Sequence, residues 1–162
     1  LVRPELTAYI EDGLRSAELT AVSSSAPTPY AREVIVAAAR GGRNVAIVSN
    51  NSTPAIEAYL KAHHLFRYVD SIIGRPYAEP ERMKPNPELL MTAARTLGHT
   101  VEQCLFVGDS TTDIFGANAA GMPVIGYANK PHKIDEFRQL GADQVVTSMA
   151  SIAAALIDVG GG

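Results

Sequence analysis

Residues 102–122 read Glu-Gln-Cys-Leu-Phe-Val-Gly-Asp-Ser-Thr-Thr-Asp-Ile-Phe-Gly-Ala-Asn-Ala-Ala-Gly-Met. A short apolar run, Cys104 to Val107, ends at Gly108-Asp109, and a helical pattern begins at once with Ser110 placed to cap it. Asp113 then falls in the first helical turn. A strand that stops at a carboxylate and turns directly into a helix is where open α/β sheets bind ligands, because strand ends and helix N-termini converge there. Two carboxylates at such a point suggest a divalent cation with oxygen ligands. Ser110-x-x-Asp113 is equally the spacing of a capping box, and Asp113 would favour a helix N-terminus electrostatically in any protein. The two readings can coexist, since Ser110 can cap while Asp109 ligates.

The elements on either side repeat the same plan. Val45 to Val48, Val69 to Ile73, Pro123 to Gly126 and Gln144 to Val146 read as further strands. Helical patterns run over 30–40, from Thr53-Pro54 to about His63, from Asn86-Pro87 to about Leu97, and over 111–120, 132–140 and 148–158. Pro54 sits at the favoured first helical position, and Gly41-Gly42, Gly98, Gly121 and Gly141 act as stops. Continuously apolar strands alternating with amphipathic helices predict a doubly wound, Rossmann-like α/β fold, a parallel sheet with helices on both faces. Upstream, Leu6, Tyr9, Ile10 and Leu14 recur at helical spacing within 4–22. Ser23-Ser24-Ser25 ends that pattern, and Ala26-Pro27-Thr28-Pro29 forms a linker-like break.

The 162 residues suit one domain with a real core, at 46% hydrophobic and 19% charged. A net charge of −3 gives no electrostatic case for nucleic acid, and no apolar run approaches the length of a membrane span. The single cysteine, Cys104, allows no internal disulfide and suits a reducing, cytoplasmic setting, with the thiol as a small buried apolar residue. No signal peptide, repeat or low-complexity tract is visible.

Two further strand ends carry chemistry. Val48 is followed by Ser49-Asn50-Asn51-Ser52. These four small polar residues suit a plain loop, yet Thr53 with Pro54 already supplies a helix cap, which leaves the Ser49 hydroxyl and free backbone N–H groups able to bind a phosphate. In Met83-Lys84-Pro85-Asn86-Pro87, Pro85 keeps Lys84 extended, and Asn86 can cap the next helix. Alone, Lys84 reads as an exposed loop lysine. Taken together, a hydroxyl, a lysine and two carboxylates can bind a phosphate, offset its charge and hold a magnesium ion.

These residues resemble the haloacid dehalogenase-like (HAD) hydrolase superfamily. Val45-Ala46-Ile47-Val48-Ser49-Asn50 resembles its second motif, Lys84 within Lys-Pro-Asn-Pro its third, and Gly108-Asp109-Ser110-Thr111-Thr112-Asp113 its fourth. The pairing of the last two is similar to the phosphoglycolate-phosphatase-like branch, whose members mostly hydrolyse small phosphomonoesters. The resemblance spans about residue 30 to the end. It divides the chain into residues 1–28, a remnant of a helical cap, and residues 29–162, an α/β core. It implies that Ser49, with the Asn50 backbone, binds the phosphoryl group of a small phosphorylated metabolite. Lys84 offsets negative charge and Asp109 ligates the magnesium ion, while Asp113 supports the metal through water or holds Lys84. In the family an aspartate attacks phosphorus, water cleaves the aspartyl-phosphate, and a second aspartate two residues on is general acid and base.

The first motif, a strand followed by Asp-x-Asp, is absent. Asp12, in Ile-Glu-Asp-Gly-Leu, has no apolar strand before it and no partner aspartate at the right spacing. In the family that strand lies mid-sheet, between the strands at 45–48 and 104–107, and its loss would leave buried backbone groups unpaired. The expectation is therefore a nucleophile upstream of Leu1, and no activity in the chain as it stands. The alternative is a non-catalytic HAD-like protein that binds a phosphorylated ligand or a partner; the sequence upstream of Leu1 discriminates between them. A phospho-acceptor signalling domain ranks below both, because it needs its lysine after the acceptor aspartate, and Lys84 precedes Asp109. Tyr77, Glu79 and Arg82, in the loop before Lys84, fit substrate contacts and surface polarity equally well. His63, His64, His99 and His132 read as helix-end and loop residues. Substrate identity and oligomeric state are not legible.

Overall fold

Val45 to Val48 is apolar at every position, and strand alternation sends Ile47 and Val48 to opposite faces. In the computed structural model, which describes residues 3–159, both faces are covered. Ile47 packs with Ile56, Leu60 and Leu65, while Val48 packs against a larger cluster around Leu90, Ile114, Val124 and Phe137. A strand buried on both sides needs no polar alternation, which is why the run is apolar throughout.

The strands are β1 (Ala46–Val48), β2 (Ser71–Ile73), β3 (Phe106–Gly108), β4 (Val124–Tyr127) and β5 (Gln144–Val146). The helices are α1 (Pro4–Val22), α2 (Ala31–Arg40), α3 (Thr53–Ala62), α4 (Glu88–Thr96), α5 (Thr111–Ala120), α6 (Lys133–Gln139) and α7 (Met149–Val159). Every pairing is parallel, and the order splits into two sheets, β1-β2 and β3-β4-β5. The α/β architecture is the expected one.

The division between the sheets has a defined geometry. Ser71 N–H bonds Val45 C=O and Ser49 N–H bonds Ile73 C=O, so residues 45, 47 and 49 face β2. Ala46 and Val48 therefore turn their backbone groups away from it. Phe106 N–H bonds Pro123 C=O, so Phe106 and Gly108 face β4, and Val107 turns its backbone groups away. These two turned-away edges line one cavity. α4 lies on β1 and β2, α5 lies on β3 and β4, and α4 packs on α5, which joins the two sheets. α2 packs against α7. Among the described residues no helix is long and apolar enough to cross a membrane.

Some boundaries differ from expectation. Cys104 lies outside the strand, half-buried after a short 3-10 turn, with its Sγ 3.4 Å from Thr100 C=O. Its thiol is still pushed up by burial, which disfavours a reactive thiolate. The cap of α3 is Ser52 rather than Thr53, and it caps without a side-chain bond. α4 begins at Glu88, whose N–H bonds Asn86 Oδ1 at 2.9 Å, so Asn86 works from just outside the helix.

α1 is one continuous helix of inverted polarity. Its apolar residues Leu6, Tyr9, Ile10, Leu14 and Leu19 are exposed, while Glu11 is buried at 4% exposure. The periodicity identified a helix correctly, but the face turned to the rest of the chain carries charge.

Candidate phosphate and metal site

The elements meet at a cavity of about 300 Å3 whose lining includes Val48, Ser49, Lys84, Gly108, Asp109 and Asp113. All four side chains singled out at strand ends and helix starts thus share one space, because parallel strands deliver their C-terminal ends to the same edge.

Asp113 is the centre of its hydrogen bonding. The capping box is present: Ser110 Oγ accepts Asp113 N–H at 3.2 Å, and Asp113 Oδ2 accepts the N–H groups of Ser110 at 3.1 Å and Asp109 at 3.0 Å. Its other oxygen, Oδ1, accepts Lys84 Nζ at 2.6 Å, and both side chains are 8% exposed. Both oxygens of Asp113 are therefore engaged by the protein, and it holds Lys84. Gly108 makes this possible. A Cβ at that position would sit 2.3 Å from Asp113 Cβ, so only glycine lets the carboxylate fold back under the strand end.

Lys84 is not a loop lysine in solvent. Its ammonium also donates to Val48 C=O at 3.2 Å and lies 5.2 Å from the centre of the Phe106 ring. Its backbone is gripped by Asn50, whose Oδ1 accepts Lys84 N–H at 2.9 Å and whose Nδ2 donates to Lys84 C=O at 3.1 Å. Sequence reasoning gave Asn50 a backbone role; the amide side chain does this additional work. Ser49 Oγ accepts Asn51 N–H at 3.1 Å, which shapes the loop and leaves the hydroxyl proton available to donate.

Asp109 differs from Asp113. Its residue is exposed, Asn129 Nδ2 donates to its Oδ2 at 3.1 Å, and Lys133 Nζ donates to its carbonyl at 2.6 Å. Neither Asn129 nor Lys133 was expected. Both follow the C-terminal end of β4, and applying the strand-end rule to every strand would have found them. Among the described residues no three His, Cys, Asp or Glu side chains gather to hold a metal by themselves. That suits magnesium, which is usually bound through one or two carboxylates and completes its shell with water and phosphate oxygens. Asp109, a hard oxygen donor oriented by Asn129, fits that ion.

The loop before Lys84 is occupied structurally. Tyr77 donates its hydroxyl to Asp12 at 3.0 Å, and Arg82 is held by Glu79 and Glu88. The Glu88 carboxyl is held low by Arg82, whose own guanidinium is raised by the same contact.

Residues 2–121 match the haloacid dehalogenase-like hydrolase family. Among curated proteins, the phosphoglycolate phosphatase of Salmonella paratyphi A is 37% identical over 98 residues, covering 60% of this chain and 38% of that protein. The Escherichia coli K12 phosphoglycolate phosphatase is 34% identical over the same shares. This chain thus spans well under half the length of the curated relatives it matches. Among solved structures, a HAD-family hydrolase from Deinococcus radiodurans R1 with bound phosphate and sodium superposes with a TM-score of 0.75 at 29% identity. That match covers 87% of this chain and 63% of the other.

Proposed function

The chain belongs to the haloacid dehalogenase-like hydrolase family, and from that premise we propose that it is the phosphate- and metal-binding part of a phosphatase acting on a small phosphomonoester. The observation that carries this reading is the convergence of Ser49, Lys84, Asp109 and Asp113 on one cavity. Similarity to phosphoglycolate phosphatases supports the substrate class, and the phosphate in the Deinococcus structure supports the ligand.

The geometry supports a role for each residue in this reading. Ser49 donates its hydroxyl to a phosphoryl oxygen. Lys84 presents a fixed positive charge and cannot swing away, because Asp113, Val48 C=O and Phe106 surround its ammonium. Such preorganised charge stabilises the transferring phosphoryl group at no cost of reorganisation during the reaction. Asp109 would hold a magnesium ion, which when bound supplies positive charge to the phosphate oxygens. Asp113 keeps Lys84 in place and closes the first turn of α5.

The covalent step needs a carboxylate that these residues do not supply. It belongs to an Asp-x-Asp strand seated between β1 and β3, upstream of Leu1 in the whole protein. The two turned-away strand edges support that seat. Residues 1–28 are then the tail of a helical cap, which the apolar outer face of α1 supports.

The test is a titration of this chain with inorganic phosphate in excess magnesium, followed by phosphorus NMR, beside an assay on p-nitrophenyl phosphate. The chain should bind phosphate, lose that binding in Lys84→Met, and turn over nothing. Phosphate affinity insensitive to Lys84 would overturn the site, and turnover by this chain alone would overturn the missing nucleophile. A longer protein that binds phosphate equally but hydrolyses no phosphomonoester would favour a non-catalytic binder.

A further inference from the structure

A buried ion cluster lies outside the cavity, centred on Arg75. Arg75 is 7% exposed and Glu11 is 4% exposed. Arg75 meets Glu11 with two parallel bonds, Nε to Oε2 and Nη2 to Oε1, both 2.9 Å. Its Nη1 donates to Glu18 Oε1 at 2.6 Å and to Asn50 C=O at 2.7 Å. Its backbone N–H bonds Asn51 C=O at 2.8 Å. Glu18 completes the cluster by accepting Ser52 N–H at 2.9 Å, and Arg15 lies 3.3 Å from Glu11.

The bonds form a continuous path. Arg75 fixes the carbonyls of Asn50 and Asn51, and Glu18 fixes the N–H of Ser52. Asn50, held by its backbone, grips the Lys84 backbone with both ends of its amide. Lys84 then meets Asp113. A forked guanidinium suits this junction because it offers several donors in one rigid plane. A cluster this dry is a weak source of stability, since the desolvation of its charges opposes their attraction. Its worth lies in holding one geometry.

From this path we infer that Arg75 is a positioning residue for the phosphate-binding lysine, acting through Asn50, and that Glu11 and Glu18 make its grip depend on α1 being docked. It rests on the reading of Ser49 and Lys84 as phosphate ligands. Withdrawal of α1 would strip Arg75 of both carboxylates and loosen the Ser49–Ser52 loop, so the site is set only while α1 is seated.

The experiment uses the isotopically labelled chain with Arg75→Lys, Arg75→Gln and Glu18→Gln, titrated with inorganic phosphate in excess magnesium. Folding is controlled by unchanged amide resonances in β4 and β5. In Glu18→Gln and Arg75→Lys, the Asn50 side-chain amide and the Lys84 amide should shift. The Lys84 amide should exchange at least tenfold faster, and the phosphate Kd should rise at least tenfold. Arg75→Lys should keep more thermal stability than Arg75→Gln yet lose as much affinity, because charge survives and the fork does not. Folded variants with wild-type Lys84 exchange and wild-type Kd overturn the proposal. If Arg75→Gln does not fold, Glu18→Gln, at a side chain 15% exposed, decides the matter. If the wild-type chain binds no phosphate, the phosphatase reading fails, while Lys84 amide exchange still decides whether Arg75 positions Lys84.

Discussion

Asp109 and Asp113 stand four residues apart in different surroundings, and single substitutions test the separate roles proposed for them. Asp113 shares a buried pair with Lys84, and breaking such a pair by removing one partner costs about 3–5 kcal/mol. Lys84→Met should lie at the low end of that range, because Asp113 keeps two backbone N–H donors; urea unfolding measures it. Asp109 is exposed, so Asp109→Asn should change stability by no more than about 0.5 kcal/mol. The same substitution should abolish magnesium binding in a calorimetric titration. Asp109→Asn with undiminished heat of magnesium binding would show that the ion is held elsewhere. Gly108→Ala is expected to be the harshest small change near the site. Its methyl would meet Asp113 Cβ, an atom fixed to the helix backbone, and overpacking of that kind costs about 1–3 kcal/mol.

Among the elements, α5 and α1 show what a sequence does and does not disclose. The start of α5 was legible because its cap, its first-turn carboxylate and the preceding strand are contiguous in sequence. Ser110→Ala should cost about 1 kcal/mol, the usual worth of a side-chain cap, in the same unfolding assay. The helical period of α1 was equally legible, but its orientation was not. The partner of Glu11 is Arg75, 64 residues away, and no local pattern announces that a charged face will be the buried one. Arg75 and Asn129 differ from Glu11 in this: each stands two residues past a strand end, β2 and β4, where the strand-end rule reaches it, although the residue each one contacts is distant in sequence. The Glu18 carboxyl is pushed up by burial, but Arg75 and the Ser52 N–H more than reverse this, so it sits below the usual range. A carboxyl depressed in the folded state adds stability above its unfolded pKa of about 4.3, and that stability is lost as pH falls through the lower folded value. Thermal melts between neutral pH and pH 3 should therefore show a decline below about pH 4.3 that Glu18→Gln makes shallower. Equal slopes for the two proteins would remove Glu18 from the acid response.

Across the molecule, the parallel α/β plan was readable from alternating apolar strands and helices, while the separation of β1-β2 from β3-β4-β5 has no signature in that alternation. Physically the break is a slot with two backbone edges, closed on one face by α4 and α5. Val48 and Phe106, half-buried, line it with Ala31 of α2 and Met149 of α7. Backbone edges on either side of a slot lined in part by apolar side chains favour an added strand, since ladder bonds supply affinity and side-chain pockets supply register. A synthetic peptide with an apolar run of strand length ending in Asp-x-Asp should therefore bind here in parallel orientation. Binding to the folded chain alone would raise its stability by about 2.7 kcal/mol at a peptide concentration one hundred times Kd. The mixture should also gain magnesium-dependent hydrolysis of p-nitrophenyl phosphate that neither component shows alone, and a peptide with both aspartates replaced by asparagine should stabilise without hydrolysis. A scrambled peptide that raises the melting temperature as much as the designed one would mean that the slot selects no strand, and the placement of the nucleophile between β1 and β3 would have to be abandoned.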